Sequence, residues 1–228
     1  SNGFDTLLFS YAGRAMFGEN ASKDTLHLDE HEKSLFLTHY QEEFVLSLYN
    51  GRNSSGRSFE ETEELRRSLS PLIEDKTLEP LEGGSYTGVD SNSKFFELPE
   101  DLWFITYEAV NLENAKCEGN MSMEVVPATQ DEYNRIRKNP FRGPNDRRAL
   151  RLDLSDSVVE IVSKYIVSSY YLRYLKKLNP IILEDLPDGL TINGESEASE
   201  CVLPEFLHQR ILEGAVARAL QMRGYYVN

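Results

Sequence analysis

Histidine, cysteine and paired carboxylates are the side chains most able to do chemistry, and their spacing in this chain is unpromising. His27 and His31 stand four apart and His31 and His39 eight apart, so a helix would put them on one side. The run Leu26-His27-Leu28-Asp29-Glu30-His31 has no HExxH spacing, and histidines at an acidic helix start are the simpler reading. Cys117 and Cys201 are far apart and neither belongs to a CxxC pair, which argues against a zinc ribbon and for two reduced thiols. Glu60-Glu61-Thr62-Glu63-Glu64 reads as a solvated helix face, and Asp131 and Glu132 read as helix-cap residues. No phosphate-binding glycine loop, nucleophile elbow or kinase motif occurs. The expectation is no catalytic residue, no metal and no cofactor.

The remaining candidates are cations. The 228 residues carry 24 Lys and Arg against 38 Asp and Glu, a net charge of -14. Residues 1–132 hold 26 acidic and 10 basic side chains, and residues 178–228 hold 8 and 3. Residues 133–177 reverse the sign, with 11 basic and 4 acidic. Two readings of this basic island stand side by side. Arg135, Arg137, Lys138, Arg142, Arg147, Arg148 and Arg151 could meet an acidic partner or phosphates, or they could pair with the chain's own excess acid. Phe141 is the one aromatic in the loop, too few for a single-strand binder, which favours a protein partner. Tyr165, Tyr170, Tyr171 and Tyr174 crowd beside Arg173, Lys176 and Lys177. Tyr and Arg are common interface anchors, and tyrosines are also ordinary strand residues.

The elements that must position these groups follow from periodicity. Apolar spacing predicts helices over 4–17, 29–50 and 59–69. Residues 75–94, with Gly83-Gly84 and Gly88, read as a linker or exposed loop. Residues 102–110, 121–126, 149–154, 158–166 and 168–175 read as strands. Thr129-Gln130-Asp131-Glu132 has the form of a capping box opening a short helix to Lys138, and Pro127 is taken to end the strand before it. Pro204 opens a last helix that Gly224 closes. The fold expected is α+β. Residues 1–74 and 201–228 would form a helical core, 75–94 a linker, and 95–200 an inserted antiparallel β-rich region. No apolar run approaches the roughly 20 residues that span a bilayer, and Ser1-Asn2-Gly3-Phe4 lacks a signal peptide's basic start. The expected compartment is a cytosol, or a particle released from one by lysis.

Several ordered motifs carry a resemblance. They are Phe4-Asp5, Leu28-Asp29-Glu30-His31-Glu32-Lys33-Ser34-Leu35-Phe36-Leu37-Thr38 with Gln41-Glu42-Glu43, and Glu97-Leu98-Pro99-Glu100-Asp101-Leu102-Trp103. Then come Val126-Pro127-Ala128-Thr129-Gln130-Asp131-Glu132-Tyr133, Lys138-Asn139-Pro140-Phe141-Arg142-Gly143-Pro144-Asn145, Arg173-Tyr174-Leu175-Lys176-Lys177, and Leu203-Pro204-Glu205-Phe206-Leu207-His208. In this order they resemble the head-to-tail connector, ring and tail accessory structural proteins of crAss-like and related tailed bacteriophages of Bacteroides.

The resemblance implies a virion structural protein made in the host cytoplasm. Such proteins form a ring, typically of about twelve copies, beneath the portal, with neighbouring tail rings below and genome DNA passing the lumen without specific binding. It implies ring-forming helices at 29–50 and 204–223, a β insertion outside or below them, and a tail with Tyr225 and Tyr226 that could meet the portal. It implies no membrane partner. The alternatives are another tail ring or stabiliser, a nucleic-acid-binding protein, or a hydrolase.

Overall fold

In a computed structural model, residues 2–15, 27–50, 63–83, 86–113, 122–155 and 157–223 are described. In chain order the elements are α1 (Asn2–Ala15), α2 (Glu30–Tyr49), α3 (Glu63–Leu69), β1 (Ile73–Leu78), β2 (Lys94–Glu97), β3 (Leu102–Leu112), β4 (Ser122–Ala128), α4 (Gln130–Ile136), β5 (Arg148–Asp153), β6 (Val158–Val162), β7 (Val167–Lys176) and α5 (Glu205–Met222). They fall into two compact units, Ser1–Pro71 with Leu178–Asn228, and Leu72–Lys177.

In the first unit α2 starts where its sequence demands. Asp29 Oδ1 accepts from Glu32 N at 2.7 Å, and Glu32 Oε2 accepts from Asp29 N at 3.1 Å. This closed capping box satisfies two donors that a helix start leaves open, and is worth about 1 kcal/mol. One side of α2 packs on α5, closely enough that a Cβ on Gly214 would fall 1.8 Å from Tyr40 Cζ. A glycine inside a helix costs about 1 kcal/mol against alanine, and here that cost admits the tyrosine ring. The side of α2 bearing Ser34, Thr38 and Gln41 is also buried, which the apolar pattern did not announce. Those three hold the backbone of 179–183. Leu183 N donates to Ser34 Oγ at 3.1 Å, Ile181 N to Thr38 Oγ1 at 3.0 Å, and Gln41 Nε2 to Asn179 O at 3.1 Å. Helix side chains thus stand in for a missing strand partner. Beyond them the chain turns at Asn193 (φ 52°) and Gly194 (φ 89°), with Ile192 and Glu195 bridged across a tight hairpin.

The second unit is a seven-stranded sheet in the order β1-β7-β3-β4-β5-β6-β2. Every pairing is antiparallel but one, since β4 and β5 run parallel. The sheet curls: Phe96 on β2 at one edge stands 5.3 Å from Tyr170 on β7, five strands away in the pairing order. Val110, Met123, Val125, Ile161 and Leu172 fill the enclosed face. On the other face α4 sets Tyr133 and Ile136 against Leu150, Leu152 and Val162.

This corrects the expected architecture. The chain is sheet-rich, with a seven-stranded curled sheet as its main element, and is not a helical core carrying an antiparallel insertion. Two strands that the pattern hid account for part of the difference. β1 offers apolar side chains only at its ends, Ile73 and Leu78, and serves as an edge. β2 is four residues long and forms the other edge. Pro127 does not end β4: it lies where β4 has lost β3 and pairs only with β5, so a missing N–H is tolerated.

A basic crossover loop as candidate protein interface

Parallel neighbours cannot be joined by a hairpin, so β4 and β5 need a crossover. The basic island supplies it. Thr129 caps α4, its Oγ1 accepting from Glu132 N at 3.2 Å. Burying Tyr133 and Ile136 turns Arg135, Arg137 and Lys138 outward. The loop that follows is tied by its asparagines. Asn139 Oδ1 accepts from Phe141 N at 2.8 Å and Arg142 N at 3.3 Å, and Gly143 N donates to Asn139 O at 2.8 Å. A Cβ on Gly143 would lie 2.5 Å from Ile136 O, so the backbone there closes only with glycine. Asn145 Oδ1 accepts from Arg147 N at 2.9 Å, Asn145 N donates to Arg148 O at 3.1 Å, and Arg148 Nη1 to Phe141 O at 2.6 Å. These bonds hold the loop in one shape and leave Phe141 at its tip 83% exposed. An aromatic ring so exposed on a tethered loop is a feature that binding rewards.

The charge around it is largely unspent. Arg142 reaches Glu132 at 3.6 Å, an exposed pair of little energy. Arg135, Arg137, Lys138 and Arg147 make no ion pair within 4 Å among the described residues. The loop's own carboxylate, Asp146, is engaged elsewhere: it accepts from Lys164 Nζ at 3.3 Å and Tyr165 OH at 3.1 Å. Those bonds hold Asp146 below the usual carboxylate range and push Tyr165 up. Arg148 Nε is buried without a hydrogen-bond partner among the described residues.

The other sequence candidates lie elsewhere. Arg151 points to the enclosed face of the sheet, with Nη1 on Glu108 Oε1 at 2.7 Å and Nε on Asp153 Oδ1 at 2.9 Å. Tyr170 OH donates to the other Glu108 oxygen. Burial pushes Glu108 up, against the opposing pull of Arg151 and Tyr170. Burial and the Glu108 carboxylate raise Tyr170. Arg151 is raised although burial, its largest influence, opposes this, because Glu108 outweighs it with help from Tyr170 and Asp153. Arg173 is exposed on β7 and reaches Asp75 at 3.6 Å. Tyr174 is fully buried, its OH on Asp101 Oδ1 at 3.1 Å. Tyr225 and Tyr226 lie outside the described residues. The structure therefore brings Arg135 to Arg148 together and separates them from Arg173 and Tyr174, with β3 and β4 standing between β5 and β7. Among the described residues no three His, Cys, Asp or Glu gather as metal ligands, and no helix is long and apolar enough to cross a membrane.

Reading by sequence missed one surface. A shallow groove of about 270 Å³ runs between α2 and α5 beside Phe36, Leu46 and Met222. Its signal was the apolar residues of α2 that the α5 contact leaves half covered.

Comparison with known proteins agrees with a structural role. Residues 1–228 match the family described as phage tail ring protein 3/4. The chain is 45% identical over 223 residues to Ring protein 3 of Bacteroides phage crAss001, covering 96% of this chain and 93% of that protein. It is 30% identical over 230 residues to Ring protein 4/5 of the same phage, covering 96% and 90%.

Proposed function

The chain belongs to the phage tail ring protein 3/4 family, a structural component of the virion tail, and from that premise we propose that it closes into a ring in the connector between portal vertex and tail. About twelve copies would make the ring, by analogy with connectors and the need for a closed heterologous interface. The portal and neighbouring tail rings would be its partners, and genome DNA would pass its lumen. The observation that carries this reading is similarity along the whole chain to two ring proteins of one phage. The charge supports it. A net -14 per copy disfavours a lumen that grips phosphate. The crossover loop, with Phe141 exposed among largely unpaired cations, suits contact with another protein surface.

The test is location. Antibody against this chain, viewed on intact particles by electron microscopy, is expected to label one vertex at the head–tail junction. Label along the capsid, or on no part of the particle, would contradict the proposal.

A further inference from the structure

A ring of identical subunits needs two different patches on each copy that fit one another. The Phe141 tip with its cations is exposed and shaped to serve as one. The structure offers a second of matching character in the helical unit. The groove between α2 and α5 is lined by Phe36, Leu46 and Met222, with Glu42, Glu43 and Arg218. At about 270 Å³ it has room for one aromatic side chain. Glu43 is paired with Arg218, and Glu42 accepts from Asn193 Nδ2 at 2.7 Å. That bond sets Asn193, at the turn of an acidic segment, against a residue of the groove. Residues 178–204 carry Glu184, Asp185, Asp188, Glu195, Glu197 and Glu200, all exposed, and no Lys or Arg.

We propose that this groove receives Phe141 of a neighbouring copy, with Arg142 and Arg147 of that copy set against Glu42 and the adjoining acidic hairpin. Three observations select a second copy as the occupant. The groove and the exposed ring match in size and apolar character. The flanking charges are opposite, cationic on the loop and anionic beside the groove. Each copy carries both halves, which a head-to-tail ring uses once per subunit. Exposed Phe and Arg entering an apolar slot rimmed by charge is the arrangement of an interface anchor. The inference rests on the ring reading and names one of its contacts.

Cross-linking in particles tests it. Phage would carry the full chain with Cys117→Ser and Cys201→Ser, plus Arg142→Cys and Glu43→Cys, and be treated with a short bismaleimide. The expected result is a ladder from dimer upward on a denaturing gel, absent from chains with either new cysteine alone. Particles that hold the chain in normal amount but give no ladder, or only an internally linked monomer, overturn the contact and leave the ring reading standing. Particles whose tails lack even the wild-type chain overturn both. A second variant covers a four-site chain that does not assemble. Phe141→Asp is expected to lower incorporation at least tenfold with an unchanged melting temperature, and Phe141→Leu to retain most of it. Wild-type incorporation of Phe141→Asp overturns the contact.

Discussion

Arg148 and Arg151 stand three residues apart on β5 and face opposite sides of the sheet. Arg151 is enclosed with Glu108 and Tyr170 and reaches out to the exposed Asp153, its charge answered by the sheet itself. Arg148 faces outward and braces the loop through Phe141 O, beside Arg142, which meets only the exposed Glu132, and Arg147, whose charge the chain leaves to solvent. A charge count along the sequence adds these arginines together. The fold divides them into one that holds the sheet and several that are available to a partner.

That division is open to attack. The largest effect is expected at Arg151→Met, which strands Glu108 in the interior. Breaking a buried pair costs about 3–5 kcal/mol, whereas Arg147→Ala on the surface should stay within about 0.5 kcal/mol. Urea unfolding of both variants decides this, and equal losses would erase the distinction. Gly143→Ala comes next. The added methyl meets Ile136 O and should cost about 1–3 kcal/mol, with faster amide exchange in 139–147 and little change on the enclosed face of the sheet.

A smaller effect concerns pH. Glu108 titrates above its ordinary 4.5 in the folded chain because burial disfavours its charge. A raised acid favours folding when protonated, so its contribution is complete below 4.5 and is lost as pH rises through the folded value. Wild type should therefore gain stability relative to Glu108→Gln as pH falls from 7 toward 4.5. A relative loss over that range would show that Arg151, and not burial, sets the carboxyl. The smallest expected effect is on DNA. The chain should show no measurable duplex binding at physiological salt, and Arg147→Ala with Arg148→Ala should change nothing. Tight, salt-sensitive binding lost in that variant would make the loop a phosphate contact.

Local signals were readable in the sequence where neighbours in the chain make the structure. The acidic start at Asp29 and Glu30, and Thr129 with Glu132, marked two helix starts, and the apolar spacing of Leu207, Ile211, Ala215 and Val216 marked α5. The basic loop was visible as a reversal of charge. What stayed hidden depends on pairing across distance. β1 and β2 gain their strand character from β7 and β6, and β4 becomes parallel to β5 only because α4 carries the chain back. Arg151 looked like its neighbours, since nothing local says which face of a strand is enclosed. Ser34, Thr38 and Gln41 read as the polar side of a helix. Their burial follows from backbone that arrives about 140 residues later. Tyr174 carried the same ambiguity between interface and core, and its ring lies in the core.

The ring itself is tested most directly by counting. Quantitative mass spectrometry of purified particles, with the portal protein as internal standard, gives the copies of this chain per virion. A closed ring at the portal vertex predicts a fixed ratio of about one to one with a portal of about twelve subunits. A chain missing from particles, or present in hundreds of copies like a capsid lattice protein, would contradict it.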